Sequence, residues 1–182
     1  MTTMTEPQVR AAVERVRRQQ RLALAYHEAG HAVAAVLLGG QGISARLRDD
    51  DLEGETAMSH LDEHRQPDVG WAGPYAEARF RRGRRPGYYE VRNLLDQNPH
   101  DEALIAAAGP APDFAYVEQV VDRCWPAISR VARALASAGE VDHGGVLFAL
   151  GAYGSRRKTS HTLALVRSGW APGELKVSVR TL

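Results

Sequence analysis

The segment Leu22-Ala23-Leu24-Ala25-Tyr26-His27-Glu28-Ala29-Gly30-His31-Ala32-Val33-Ala34-Ala35-Val36-Leu37-Leu38-Gly39-Gly40 decides how the rest of the chain is read. Alanine and leucine dominate it, and a glycine pair closes it, as expected of a helix with a sharp stop. His27 and His31 are four residues apart, about one helical turn, so both imidazoles leave the same face. That is the geometry two ligands need to grip one tetrahedral ion. Glu28 follows the first histidine directly, which places it beside such an ion without binding it, in reach of a water on the open coordination position. Ala29 and Gly30 are small enough to let another element approach this face. Val33, Val36 and Leu37 would anchor the helix in a core.

Upstream, Thr5 before Glu6-Pro7 reads as an N-cap with proline early in the helix. Val9, Val13 and Val16 continue the helical spacing, so 7–38 is one long helix or two abutting ones. Downstream, 43–48 alternates weakly and 56–61 reads as a second strand, with the acidic run 49–51 as a solvated turn between them. A helix is expected over 68–82, with Val69, Ala72, Ala76 and Phe80 on one side, followed by a basic loop over 81–87. A short helix over 99–108 is stopped by Gly109-Pro110. A longer one over 113–137 buries Val117, Val120, Val121, Trp125, Ile128, Val131 and Leu135, with a kink or break at Pro126. Asp142 reads as the N-cap of a last short helix ending near Gly151. In the tail, Arg156-Arg157-Lys158 is basic. The stretches 161–166 and 174–179 look β-like around a turn at Trp170-Ala171-Pro172-Gly173, so the tail could form a hairpin.

The chain has 182 residues, enough for one domain with an appendage. The longest apolar run, 32–38, is far too short to cross a bilayer, and no basic-then-apolar secretory leader is visible. The lone cysteine, Cys124, cannot form an internal disulfide, which fits a reducing, cytoplasmic setting. It also excludes thiolate-rich zinc modules, so any metal must be held by histidines and carboxylates. The net charge of +1 gives no global attraction to nucleic acid or an anionic membrane. The arginines at 81, 82, 84 and 85 precede Tyr88 and Tyr89, a combination that can bind single strands. No groove-binding motif accompanies them, so they read as a solvated loop. Cys124, on an apolar helix, reads as a packed residue.

A catalytic zinc takes three protein ligands as a rule. The metzincin spacing would need glycine at 34 and histidine at 37, where this chain has Ala34 and Leu37, so that class is excluded. Downstream, His60, His64, Asp68, Glu77, His100 and Asp101 remain open as the third ligand. His60 and His64 are themselves four apart, but they fall in a polar stretch after the second strand.

Beyond these local readings, the block Ala25-Tyr26-His27-Glu28-Ala29-Gly30-His31-Ala32-Val33 closely resembles the start of the peptidase domain of FtsH-type membrane AAA proteases. Gly54-Glu55-Thr56-Ala57-Met58-Ser59 resembles that family's strand after the zinc helix. Ala72-Gly73-Pro74-Tyr75-Ala76-Glu77-Ala78-Arg79-Phe80 resembles its Ala-Gly-Arg-x-Ala-Glu-Glu helix. Asn98-Pro99-His100-Asp101-Glu102-Ala103 sits where the family has a Ser-Asn-Asp-Leu-x-x-Ala segment. The region around Trp125, Ile128 and Leu135, followed by Gly139-Glu140-Val141, resembles its closing helices. The resemblance covers about residues 20–150. It implies Asp101 as the third zinc ligand, with His100 beside it departing from the family pattern and competing for the role. It also implies Glu77 as an outer-shell residue orienting a histidine, and a substrate edge on the strand around Thr56 to His60.

The expected fold is therefore α+β and mainly α-helical: a zinc helix, a small β-sheet or hairpin and a closing helical bundle. Residues 1–20 would form an N-terminal helical extension, 21–150 an FtsH-like zinc metallopeptidase domain, and 151–182 a basic C-terminal extension. The expected function is that of a zinc metalloendopeptidase. Zn2+ held by His27, His31 and Asp101 would activate a water, and Glu28 would act as general base on a peptide or unfolded protein. No Gly-rich phosphate loop appears, so the resemblance implies an ATP-independent, stand-alone peptidase, or one relying on a separate ATPase or on homo-oligomers. The alternative is a catalytically silent zinc-binding module with a regulatory or interaction role. No membrane partner is expected, and nucleic acid is disfavoured.

Overall fold

A computed structural model describes residues 5–48, 53–107 and 111–173. It is a mainly helical α+β fold, with eight α-helices and one three-stranded antiparallel sheet among the described residues. The acidic run 49–51, the Gly109-Pro110 stop and the stretch 174–179 lie outside them.

The organising element is α1 (Glu6–Leu37), one continuous helix of 32 residues. Thr5 is its N-cap, with the Thr5 backbone N–H donating to Gln8 Oε1 at 2.8 Å. At its far end Gly39 takes a positive φ of 98°, a conformation glycine adopts without strain. The helix is buried only from Ala23 onward. There it packs against α2 (Gln66–Arg82) and, later in the chain, α6 (Trp125–Ala138). Between them run β1 (Ser44–Leu47), β2 (Gly54–Ala57), α3 (Tyr88–Leu95), α4 (Pro99–Ala107) and α5 (Phe114–Arg123). β3 (Glu140–Asp142), α7 (His143–Ala149) and α8 (Arg156–Arg167) follow.

β1 is the central strand, in the order β2-β1-β3, with Ser44 opposite Ala57 on one side and Asp142 on the other. Among the described residues, both outer strands have a free edge. The second strand is shorter and earlier than the alternation over 56–61 implies. Its last part leaves the ladder, and His60 makes only an isolated bridge to Gln41. Pro126 does not kink a long helix. It occupies the second position of α6, where a missing N–H costs nothing, and the chain breaks at Cys124.

The tail corrects one expectation. The β-like stretch 161–166 lies inside α8, so no hairpin forms there. Ser155 caps that helix, and Thr162 and Val166, four residues apart, are its buried face. Arg167 Nε then donates to Leu37 O at 2.5 Å, satisfying a carbonyl at the end of α1. Between α6 and α7 the chain forms β3 over Glu140–Asp142, and Asp142 caps α7 as expected, its side chain accepting from the Gly145 backbone N–H.

α1 and α2 approach unusually closely. A Cβ on Gly30 would sit 2.6 Å from Ala72 O and 2.8 Å from Ala76 Cβ. Nearby, Tyr26 stacks between Phe80 and Trp125, with ring centroids 4.4 and 5.0 Å away. The Arg79 guanidinium lies 4.4 Å over the Trp125 ring. These contacts fix the rotation of α1 one residue before His27. The basic segment expected as a loop begins inside the last turn of α2, and its charges are taken up locally: Arg81 pairs with Glu77, Arg82 and Arg84 with Glu90, and Arg85 with Glu118. Among the described residues no helix is long and apolar enough to cross a membrane.

Two outcomes follow from this packing. Gly30→Ala must push α2 off α1 against a backbone carbonyl, and we expect a loss of about 1–3 kcal/mol in denaturant unfolding. An unchanged midpoint would show that the two helices are not in close contact. Cys124 is fully buried, and that burial pushes its thiol from 9.0 up to about 12. Because the folded value is raised, this contribution to stability is present below the unfolded value and is lost as pH rises from about 9 to about 12. In iodoacetamide labelling at pH 8 the native thiol should stay unmodified and react only on unfolding; labelling of native protein at the rate of a free thiol would contradict the burial.

Candidate metal centre

Three elements converge on the buried turn of α1 that carries His27, Glu28 and His31, all 4–5% exposed. α2 supports the imidazoles from behind. His27 Nδ1 is 3.0 Å from Glu77 Oε2, and His31 Nδ1 is 2.8 Å from Val69 O. Both acceptors lack protons to give, so each Nδ1 carries the N–H and donates it, which leaves the Nε2 lone pairs pointing the other way. α2 can stand this close because Gly73 has no side chain; a Cβ there would overlap the His31 ring.

α4 brings the third group. Asp101 is in its first turn, where a carboxylate is favoured by the helix dipole. Gly70 of α2 lets α4 lie close, since a Cβ there would already be 3.1 Å from Ile105 Cγ1 and 3.3 Å from Asp101 O. Asp101 Oδ2 is 2.9 Å from His27 Nε2, Asp101 Oδ1 is 3.2 Å from His31 Nε2, and the two Nε2 atoms are 3.0 Å apart.

This arrangement fits a metal ion. Two imidazole lone pairs and an ionised carboxylate are turned toward one another in a buried space, and Asp101 Oδ2 has no hydrogen-bond partner. Their separations are close to the edge of about 3.3 Å in a tetrahedron with bonds of about 2.0 Å. His27, His31 and Asp101 are a buried group that could hold a metal. Two imidazoles with one carboxylate suit a borderline transition metal better than magnesium or calcium, which prefer oxygen.

The electrostatics show the same demand for positive charge. Burial works against protonated His27, but the carboxylates of Asp101, Glu77 and Glu28 outweigh it and raise its pKa from 6.5 to about 10. His31 is raised too, against its burial, chiefly by Asp101. Burial alone would raise Asp101, but the two imidazoles hold it well below the usual carboxylate range. Glu77 is likewise lowered against its burial by His27 and Arg81.

Glu28 is held apart from this group by β2. Thr56 Oγ1 donates to Glu28 Oε2 at 2.7 Å and lies 3.2 Å from Glu28 O. Gly54, two residues earlier on the same face of the strand, is packed so closely that a Cβ would be 2.5 Å from Glu28 Oε1. Glu28, the metal group, Gly54 and Thr56 all line one open cleft of about 900 Å³, with Arg46 and His100 further along its wall.

Of the six downstream residues open from sequence, the structure brings Asp101 to the histidines and puts Glu77 behind His27. His60 and His64 are exposed, and His100 is an exposed residue of the cleft wall. Asp68 is buried elsewhere, accepting from Arg65 and from the Asp113 backbone N–H. Sequence reading missed Thr56, Gly54 and the Val69 carbonyl. The alternation Gly54-x-Thr56 was the available signal for the first two; a backbone acceptor leaves none. Compared with known proteins, the chain matches no family model and no curated protein.

The centre should take up one ion per chain. His31→Ala removes one of the three donors and leaves Asp101 facing His27 alone, so metal content after zinc loading should fall at least about tenfold by elemental analysis. Retention of one ion per chain by that variant would place the metal elsewhere.

Proposed function

We propose that this protein is a zinc-dependent endopeptidase with a site of the FtsH type, acting on extended peptide or unfolded polypeptide. The observation that carries this reading is Glu28: a buried carboxylate beside a three-donor metal group, in the same cleft, fixed by Thr56 in a position where it is not one of the three donors. Metal binding alone has no use for it. The order of segments resembling the FtsH-type peptidase domain supports the same assignment, with His27, His31 and Asp101 as ligands and Glu77 as the orienting group behind His27.

When bound, zinc supplies Lewis acidity, lowering the pKa of a water and polarising the scissile carbonyl. Glu28 takes the proton from the attacking water and passes it to the departing amine. Thr56 keeps the Glu28 carboxylate turned into the cleft, and Glu77 and Val69 O keep both imidazoles presenting Nε2. The free edge of β2 offers an extended substrate a ladder of backbone groups directly beside Glu28. The antiparallel register, with Arg48 N–H donating to Glu53 O at 2.9 Å, turns the N–H and C=O of Gly54 and Thr56 toward that edge.

The test compares wild type with Glu28→Gln on a fluorescently labelled unfolded protein, with zinc content measured on both. The variant should keep one zinc per chain and lose at least about a hundredfold in hydrolysis. Equal rates would remove Glu28 from the chemistry. A zinc-loaded wild type that cleaves nothing would favour a silent metal-binding module.

A further inference from the structure

The first half of α1 has no place in the peptidase reading. Residues 5–20 are exposed throughout, with Ala12 alone half-buried, and the helix enters the core only at Ala23. This arm extends about 24 Å at 1.5 Å per residue. Isolated helices of that length are marginal in water, and this one carries an uncovered apolar stripe: Val9, Val13 and Val16 are 47%, 49% and 53% exposed.

The stripe has a particular form. Its spacing of four and then three is that of core positions in a coiled coil, and Gln20 and Ala23 continue the same frame to the start of the core. The two flanks differ. One carries Arg10 and Arg17; the other carries Ala12 and Gln19, which are uncharged. Across residues 5–20 four arginines face two glutamates, a net charge of +2 in a chain whose total is +1. Glu6 and Glu14 are taken by Arg10 and Arg18 in exposed i,i+4 pairs, at 2.6 and 3.1 Å.

We propose that the N-terminal half of α1 is a docking arm for an acidic amphipathic helix of another protein. Apolar residues of that helix cover Val9, Val13 and Val16, and its carboxylates lie along the Arg10 and Arg17 flank. Charge decides against a second copy: antiparallel arms would set these arginines against each other, and parallel arms would set them against Ala12 and Gln19. A lipid surface fits less well, because the stripe is narrow and has no Trp, Phe or Leu to insert.

The experiment uses the full chain and two synthetic 21-residue helical peptides with leucine at the core positions. One has glutamate at the flanking positions, the other lysine. Fluorescence anisotropy should show binding of the glutamate peptide, at least about tenfold weaker binding of the lysine peptide, and weakening by added salt. Val13→Asp, and separately Arg10→Glu with Arg17→Glu, should each weaken binding at least about tenfold. Thermal unfolding of the core should stay unchanged, since among the described residues the arm's outer half is exposed and α1 enters the core only at Ala23. Equal binding of the two peptides, or binding untouched by Val13→Asp, overturns the proposal. So does failure to bind the glutamate peptide; binding to phosphatidylglycerol vesicles would then assign the arm to a lipid surface, and a dimer in ultracentrifugation that Val13→Asp abolishes would assign it to a second copy.

Discussion

The close approach of α1 and α2 at Gly30 is the constraint on which the site depends. With the helices this near, Ala72 O fills the space a Cβ on Gly30 would need, and Gly73 lies against the His31 ring. Only then do Glu77 and Val69 O reach the two Nδ1 atoms, at 3.0 and 2.8 Å. Those two hydrogen bonds choose the tautomer of each imidazole, and the tautomer turns both Nε2 lone pairs toward Asp101. The packing of small residues thus sets the chemistry of the donors as well as their positions. The stack of Tyr26 between Phe80 and Trp125 guards the same registry one turn earlier along α1.

The carboxylates of the site are separated by what surrounds them. Asp101 faces the two imidazoles and is strongly acidic for a buried group. Glu77 faces the back of His27 and is tied to Arg81, which keeps its charge in place. Glu28 has neither arrangement: its partner is a neutral hydroxyl on β2, and it opens on the cleft. In the proposed reading, one ligand, one orienting group and one carboxylate free for proton transfer are distinguished by their neighbours, although all are carboxylates in one buried region. The same reading lets β2 link the last of these to substrate, since Thr56 holds Glu28 through its side chain and turns its backbone to the strand's outer edge.

What could be read from the sequence follows the range of the forces involved. The His27, Glu28 and His31 arrangement is local, set by one helical turn, and was legible directly. So was the need for small residues at Ala29 and Gly30. Asp101 is brought in by α4, and spacing alone left it level with five other residues; the ordered resemblance singled it out. The Val69 carbonyl carries no side-chain signal at all. β3 is three residues long and α3 eight, too short to impose a clear period. α8 was read as a strand because its β-branched and apolar residues cluster, yet Thr162 and Val166 are buried four apart with Arg167 reaching α1.

In the proposed centre His27 Nε2, His31 Nε2 and an Asp101 oxygen together hold one metal ion. A crystal structure of the zinc-loaded protein, with anomalous diffraction collected on both sides of the zinc edge, tests it most directly. The expected result is a single strong anomalous peak about 2.0–2.2 Å from all three atoms, with Glu28 outside bonding distance. Zinc bound at His60, His64 or His100 instead, or a bond from Glu28 to the ion, would contradict it.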